Sequence, residues 1–145
     1  MYKLNIEDRN YTQVSVVDAY TLNPLCMPKM LNPIQNKLFN QDIFDIDVDH
    51  PRVLHSSVRT MKGISGILVL QDNKTFGKHK DKFLYKCIPN DKKLPIFIVP
   101  YKIRHVFNKA HKNKYIVFKF KSWTDKHPCG QIVNVFGDVD HLDHF

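Results

Sequence analysis

Apolar and polar residues alternate along most of this chain with a period of two, the pattern of strands that turn one face to a core. The clearest case is 115–121 (YIVFKFK), where Ile116, Phe118 and Phe120 fall on one side and Tyr115, Val117, Lys119 and Lys121 on the other. Similar runs stand at 66–71 (GILVLQ), 82–88 (KFLYKCI), 95–101 (PIFIVPY) and 131–136 (QIVNVF), with turn residues at 61–63, 73–77 and 89–91 between most of them. Nearer the start, 2–6 (YKLNI) and 11–17 (YTQVSVV) flank the turn-like EDRN and predict a hairpin. Pro24, Pro28 and Pro33 forbid a long helix over 21–37 and predict an extended loop. Alternation around Ile43, Ile46 and Val48 predicts one more strand over 37–48; a break follows at His50-Pro51, and 53–59 (VLHSSVR) resumes strand character. Only 103–113 (IRHVFNKAHKN) predicts a short helix. Short strands at regular spacing mean a barrel or a sandwich.

The 145 residues are 43% hydrophobic and 12% aromatic, enough for a packed core in one ordinary domain or two small ones. No apolar run approaches the roughly 18–20 residues of a membrane helix, and the first ten residues carry no apolar signal core. A soluble cytoplasmic protein with no membrane partner is expected. Cys26, Cys87 and Cys129 are too few and too far apart for a disulfide framework or a zinc knuckle, so reduced thiols are expected. The net charge of +8 is unevenly placed. Residues 1–58 carry five basic and seven acidic side chains, whereas 59–128 carry seventeen Lys and Arg against four Asp, a surplus of thirteen. Such a local excess is the electrostatic footprint of a polyanion-binding surface. With no amphipathic helix in view, nucleic acid fits it better than an anionic membrane.

Lysines and aromatics interleave where that charge is densest. Lys78, Lys80, Lys82 and Lys86 lie in and before the strand at 82–88, and Phe83, Tyr85 and Tyr101 alternate with them. Together with Tyr115, Lys119 and Lys121 on what is read as a neighbouring strand, they could line one groove that tracks a single strand by phosphate contacts and base stacking. Trp123 reads as a packing residue at a strand end, and Gly130 as a turn residue tolerant of positive φ in Pro128-Cys129-Gly130. His79, His105, His111 and His127 have no Ser, Cys or carboxylate at a dyad spacing and read as surface residues beside phosphate. The closing cluster of Asp138, Asp140, Asp143, His141 and His144 has the ligand types for a divalent ion, but its terminal position favours a solvated tail, and no metal site is expected.

About five strands from Gly66 to Phe136, with an insertion before the last two, predict an OB or cold-shock barrel. Pro89, Asp91, Leu94-Pro95, Val99-Pro100, Trp123, Pro128, Gly130, Gly137 and Asp138 make the likeness specific. Over 82–103 and 118–145 the chain resembles the second cold-shock domain of exoribonucleases of the RNase II and RNase R family, closest to the eukaryotic exosome-type branch and its relatives in large DNA viruses. Its exit, Phe136-Gly137-Asp138-Val139-Asp140, lacks the second Gly of that branch's pattern. The resemblance implies an all-β chain: a partial first cold-shock-like domain over 1–58, a full barrel over 59–137, and an exit linker over 138–145. It further implies a single-stranded RNA partner in RNA degradation and a structural role for Trp123, Pro128, Gly130 and Gly137. Magnesium and the catalytic Asp cluster belong in that family to a downstream nuclease domain, so this chain is expected to carry no cofactor and no ribonuclease activity of its own. A viral source would put the protein in the host cytoplasm. A free-standing cold-shock-like nucleic-acid chaperone and a protein-interaction module with a basic face remain alternatives, and the oligomeric state is left open.

Overall fold

The computed structural model describes residues 1–29, 31–48, 50–71, 74–79, 81–102 and 112–139. The first sheet holds β1 (Tyr2–Ile6), β2 (Val14–Asp18), β3 (Pro24–Leu25), β4 (Ile43–Asp47) and β5 (His50–His55) in the order β3-β2-β1-β4-β5. Every pairing in it is antiparallel. The predicted hairpin is β1–β2, and its turn is tied by Asp8, whose carboxylate accepts from the backbone N–H groups of Thr12 and Gln13. Alternation does its work here: Leu4, Ile6, Val16 and Phe44 are essentially fully buried on one face.

Two readings of this region are corrected. His50-Pro51 opens β5 rather than breaking the chain. β5 is an edge strand, where a proline with no N–H to give leaves no ladder bond unmade. Strand character also stops earlier than 53–59 suggested. The Ser56 hydroxyl accepts from the Arg59 N–H and caps a one-turn helix, α1 (Ser57–Thr60).

The second sheet contains β6 (Ile64–Leu68), β7 (Lys78–His79), β8 (Lys82–Pro89), β9 (Phe97–Tyr101), β10 (Lys114–Ser122) and β11 (Cys129–Asp138). Its order is β6-β10-β11-β9-β8-β7, and β6 also pairs with β8 from Gly66↔Pro89 to Leu68↔Cys87. Five strands therefore close into a barrel, with β7 an outer appendage on β8 that the alternation had not signalled. β9 and β11 meet in parallel at Cys129↔Ile98, and the other pairings are antiparallel. The helix expected over 103–113 falls on 103–111, outside the described residues, apart from Lys112 and Asn113.

Ile116 and Phe118 of β10 are buried and Lys119 and Lys121 exposed, as the alternation predicts. Gly130 keeps a structural role, but for a different reason from the one expected. It sits in β11 opposite Phe120, its φ is not positive, and a Cβ there would lie 2.8 Å from the Phe118 ring and 3.2 Å from the Lys119 carbonyl. Close approach of an aromatic ring, not a turn, excludes a side chain at this position.

The two sheets share one hydrophobic cluster. Phe39, from the loop before β4, stacks on Phe97 (centroids 5.7 Å apart), meets Phe120 edge-on (5.5 Å) and leans on Trp123 (4.8 Å), so it plugs one end of the barrel. Arg59 covers the rings of Phe39 and Phe120 and donates through Nη2 to the Lys37 carbonyl at 2.6 Å. Arg9, in the β1–β2 turn, reaches across to the β8–β9 loop and donates to the carbonyls of Pro89, Asp91 and Leu94. Beneath them lies the fully buried Asp42, whose carboxylate accepts from the Ser56 hydroxyl and the Phe39 N–H. The first sheet is thus bolted to one end of the barrel by aromatic packing and charge-assisted hydrogen bonds.

Candidate nucleic-acid interface

With one barrel end plugged, the surfaces left to solvent are its flanks and the opposite end. β8 turns Tyr85, Cys87 and Pro89 inward, which leaves Leu84, Lys86 and Ile88 on its outer face. The register sets Leu84 beside Pro100 and Lys86 beside Ile98 of β9. Two loops flank this pair of strands. In the loop over 69–81, the Phe76 N–H donates to the Leu84 carbonyl at 2.8 Å, and the Gly77 carbonyl accepts from the Leu84 N–H, which pins the Phe76 ring beside the strand. In the loop over 123–128, the Pro128 carbonyl accepts from the Ile98 N–H at 2.9 Å. This brings His127 to Phe76, edge to face, with centroids 5.7 Å apart.

Cations surround these rings. The Lys74 ammonium lies 5.4 Å from the Phe76 centroid, and that of Lys78 lies 5.7 Å from the centroid of Phe83, which is 46% exposed. Partial burial, reinforced by the charges of Lys126 and Lys86, holds the His127 imidazole below its ordinary pKa of 6.5, against a smaller opposing contact with the Ile96 backbone. The lowered value favours the neutral imidazole, a flat ring beside Phe76. At the far end of the same strands an open groove of about 560 Å³ is lined by Lys82, Pro100, Tyr101, Lys102, Ile132 and Val135. Lys102 is paired with Asp81 at 3.4 Å, whereas Lys82 stands exposed.

The predicted site residues divide. Lys78, Lys82 and Lys86 fall on or beside the β8–β9 face; Tyr101 is half-buried on the inward side of β9, packed against the core and reaching only the groove beside Lys82, and Lys80 lies outside the described residues. Tyr85 does not offer a stacking platform. It is only 5% exposed, edge-on to Tyr101 inside the barrel, because its strand position points inward. Tyr115, Lys119 and Lys121 sit on β10, whose hydrogen-bonded neighbours are β6 and β11. β8 is not adjacent to it, so the single groove expected from neighbouring strands does not form. Trp123 is 7% exposed and packs against Phe39, as its position suggested. Pro128 is buried, and Gly137 faces Tyr115 near the end of β11 with open space around it. Asp138 is held by Lys114 at 2.6 Å, and its carboxyl lies below the usual range because of that bond. The other residues of the closing Asp and His cluster are not among those described.

Sequence reasoning missed Phe76, Lys74 and Lys126, and it read His127 only as a surface residue beside phosphate. An aromatic between lysine and glycine in a turn was the available signal at Phe76. Its meeting with His127, 51 positions on, depends on barrel closure and had no local signature. Among the described residues no three His, Cys, Asp or Glu are grouped to hold a metal ion. No helix among them is long and apolar enough to cross a membrane.

Residues 84–144, somewhat under half of the chain, match the family model for the Dis3-like cold-shock domain 2. No curated protein matches the chain. The fold is thus all-β, a closed OB-type barrel of the cold-shock kind, as the strand order predicted, with a second sheet attached to it. This class of barrel points to nucleic acid as the ligand.

Proposed function

We propose that the chain binds single-stranded RNA on the β8–β9 face of its barrel and guides it toward the catalytic domain of a cytoplasmic 3′ to 5′ exoribonuclease of the RNase II type, of the exosome-like branch. The observation that carries this reading is the meeting of Phe76 and His127 over the second and third barrel strands, ringed by Lys74, Lys86 and Lys126. In OB barrels these strands and the two loops beside them are where oligonucleotides lie. Rings take bases by stacking, which is indifferent to sequence, and ammonium groups take phosphates. Binding at this face needs no metal and breaks no bond. Hydrolysis, and the magnesium it uses, belong to the partner domain.

Fluorescence anisotropy with a short single-stranded RNA and a blunt duplex of equal length tests the proposal. The single strand should bind more tightly, because duplex bases are already stacked on one another. Its log-log salt slope should be about −3 to −4, corresponding to roughly four to six phosphates at about −0.7 each. Phe76→Ala with Lys86→Ala should reduce single-strand affinity by about tenfold or more, since one stacked base is worth about 1–3 kcal/mol. Equal affinity for the two RNAs, or a double variant that binds like the parent, would refute the assignment.

A further inference from the structure

Lys119 and Lys121 stand exposed on β10, opposite Gln131 and the start of β11. Lys62 stands exposed in the turn between α1 and β6. That turn hugs β10 so closely that a Cβ on Gly63 would lie 2.9 Å from Val117 Cγ1. The three lysines therefore share a flank made of β6, β10 and β11, while β8 lies beyond β6 on one side and beyond β11 and β9 on the other. Among the described residues none of these lysines is in an ion pair. No ring lies exposed among the lysines themselves: Phe120 turns inward onto Phe39, and the half-buried Tyr115 and the exposed Phe136 stand at the other end of β10 and β11.

Lysines two positions apart on a strand, roughly 6.8 Å, offer a row of point charges with no ring among them on which a base could stack. A single strand gains little there. A double helix presents just what such a row can hold, phosphates and sugar hydroxyls with its bases hidden. We propose that this flank binds the sugar–phosphate backbone of a double-helical RNA stem while the β8–β9 face holds the single strand that continues from it. The inference rests on the single-strand reading of that face and adds a second contact, so that a stem joined to a tail becomes the preferred ligand by linkage of two weak sites.

The test compares a hairpin carrying a single-stranded 3′ tail with the tail alone, using the full chain and the variant Lys119→Ala/Lys121→Ala, with circular dichroism as the control for folding. The parent should bind the tailed hairpin about tenfold more tightly than the tail. The variant should lose that gain and about two units of salt slope on the hairpin, one per lysine, with its affinity for the tail changed less than about twofold. A variant that keeps the gain overturns the proposal. So does one that loses tail affinity to the same degree, because the lysines would then belong to the single-strand face. If the variant binds both RNAs as the parent does but no longer binds polyglutamate, the flank takes an acidic polypeptide and the proposal likewise falls. Failure of the single-strand reading shows separately, as a Phe76→Ala/Lys86→Ala protein with unchanged tail affinity.

Discussion

Cations lie against aromatic rings in two regions of this molecule, with opposite consequences. At the seam between the sheets Arg59 sits 4.7 Å from the Phe120 centroid and 5.4 Å from that of Phe39. On the barrel flank Lys74 and Lys78 sit at similar distances from Phe76 and Phe83. The chemistry is nearly the same, and what differs is the cover. The seam is closed by backbone from both sheets, so its cation must be one that can lie flat on a ring and still donate to a carbonyl, as Arg59 does to Lys37. The flank is open, and its lysines are exposed where a phosphate can reach them. A cation beside a ring is therefore a fastener or a binding element according to whether the topology buries it.

The largest separation between the regions should come from removing one ring in each. Phe39→Ala empties the plug at the barrel end and should cost about 3–5 kcal/mol of stability, read from the urea midpoint. Phe76→Ala should cost no more than about 0.5–1 kcal/mol by the same measurement, because half its surroundings are solvent, while lowering RNA affinity. Equal stability losses would erase the distinction between plug and platform.

Removing one cation from each region gives a smaller contrast. Arg9→Ala leaves the carbonyls of Pro89, Asp91 and Leu94 without their shared donor and should cost about 1.5–3 kcal/mol, the range of hydrogen bonds to charged groups. Lys82→Ala, at an exposed position in β8, should stay within about 0.5 kcal/mol. A destabilised Lys82→Ala protein beside an unaffected Arg9→Ala protein would mean that the sheets are held by something other than this clamp.

The contrast also marks what was legible in the sequence. Period-two alternation located the main strands because β6, β8 and β10 each turn one dry face to the core, and the in-out order of 115–121 survived although β10 pairs irregularly with β11. Strand neighbours were not legible. Ring closure sets β6 between β8 and β10, so lysines that look like one groove on paper lie on two flanks. Tyr85 and Phe83 are two positions apart on the same side of β8, yet one is buried and the other exposed, because the barrel interior ends between them. Phe39 lies in a stretch that read as an ordinary strand, and only the docking of the first sheet makes it the plug. Local pattern fixes which way a side chain points, and contacts distant in sequence decide what it meets.

The smallest expected effect concerns Asp42, whose carboxyl the seam buries. Burial raises the pKa of Asp42 above its ordinary 3.8, and it outweighs the Ser56 and Phe39 hydrogen bonds and the nearby charges of Arg59 and His55, which act the other way. A folded-state pKa above the unfolded one means that the native state holds its proton more tightly. The associated stability is complete below the unfolded value and is lost as pH rises through the folded value. Asp8, Asp18 and Asp138 have lowered pKa values, and their contribution runs in the opposite direction, present above the ordinary value and lost as pH falls. Wild type alone would mix the two trends, so the informative quantity is the difference from Asp42→Asn. The substituted amide cannot ionise, and its loss of one hydrogen-bond acceptor costs the same at every pH. As pH rises from about 4 through the raised folded value, the melting temperature of the variant should rise relative to wild type, whatever the sign of the offset at the start. A difference that stays flat across that window would show that the Ser56 hydroxyl, the Phe39 N–H and Arg59 together compensate the buried charge in full, making the seam as indifferent to pH as the open flank.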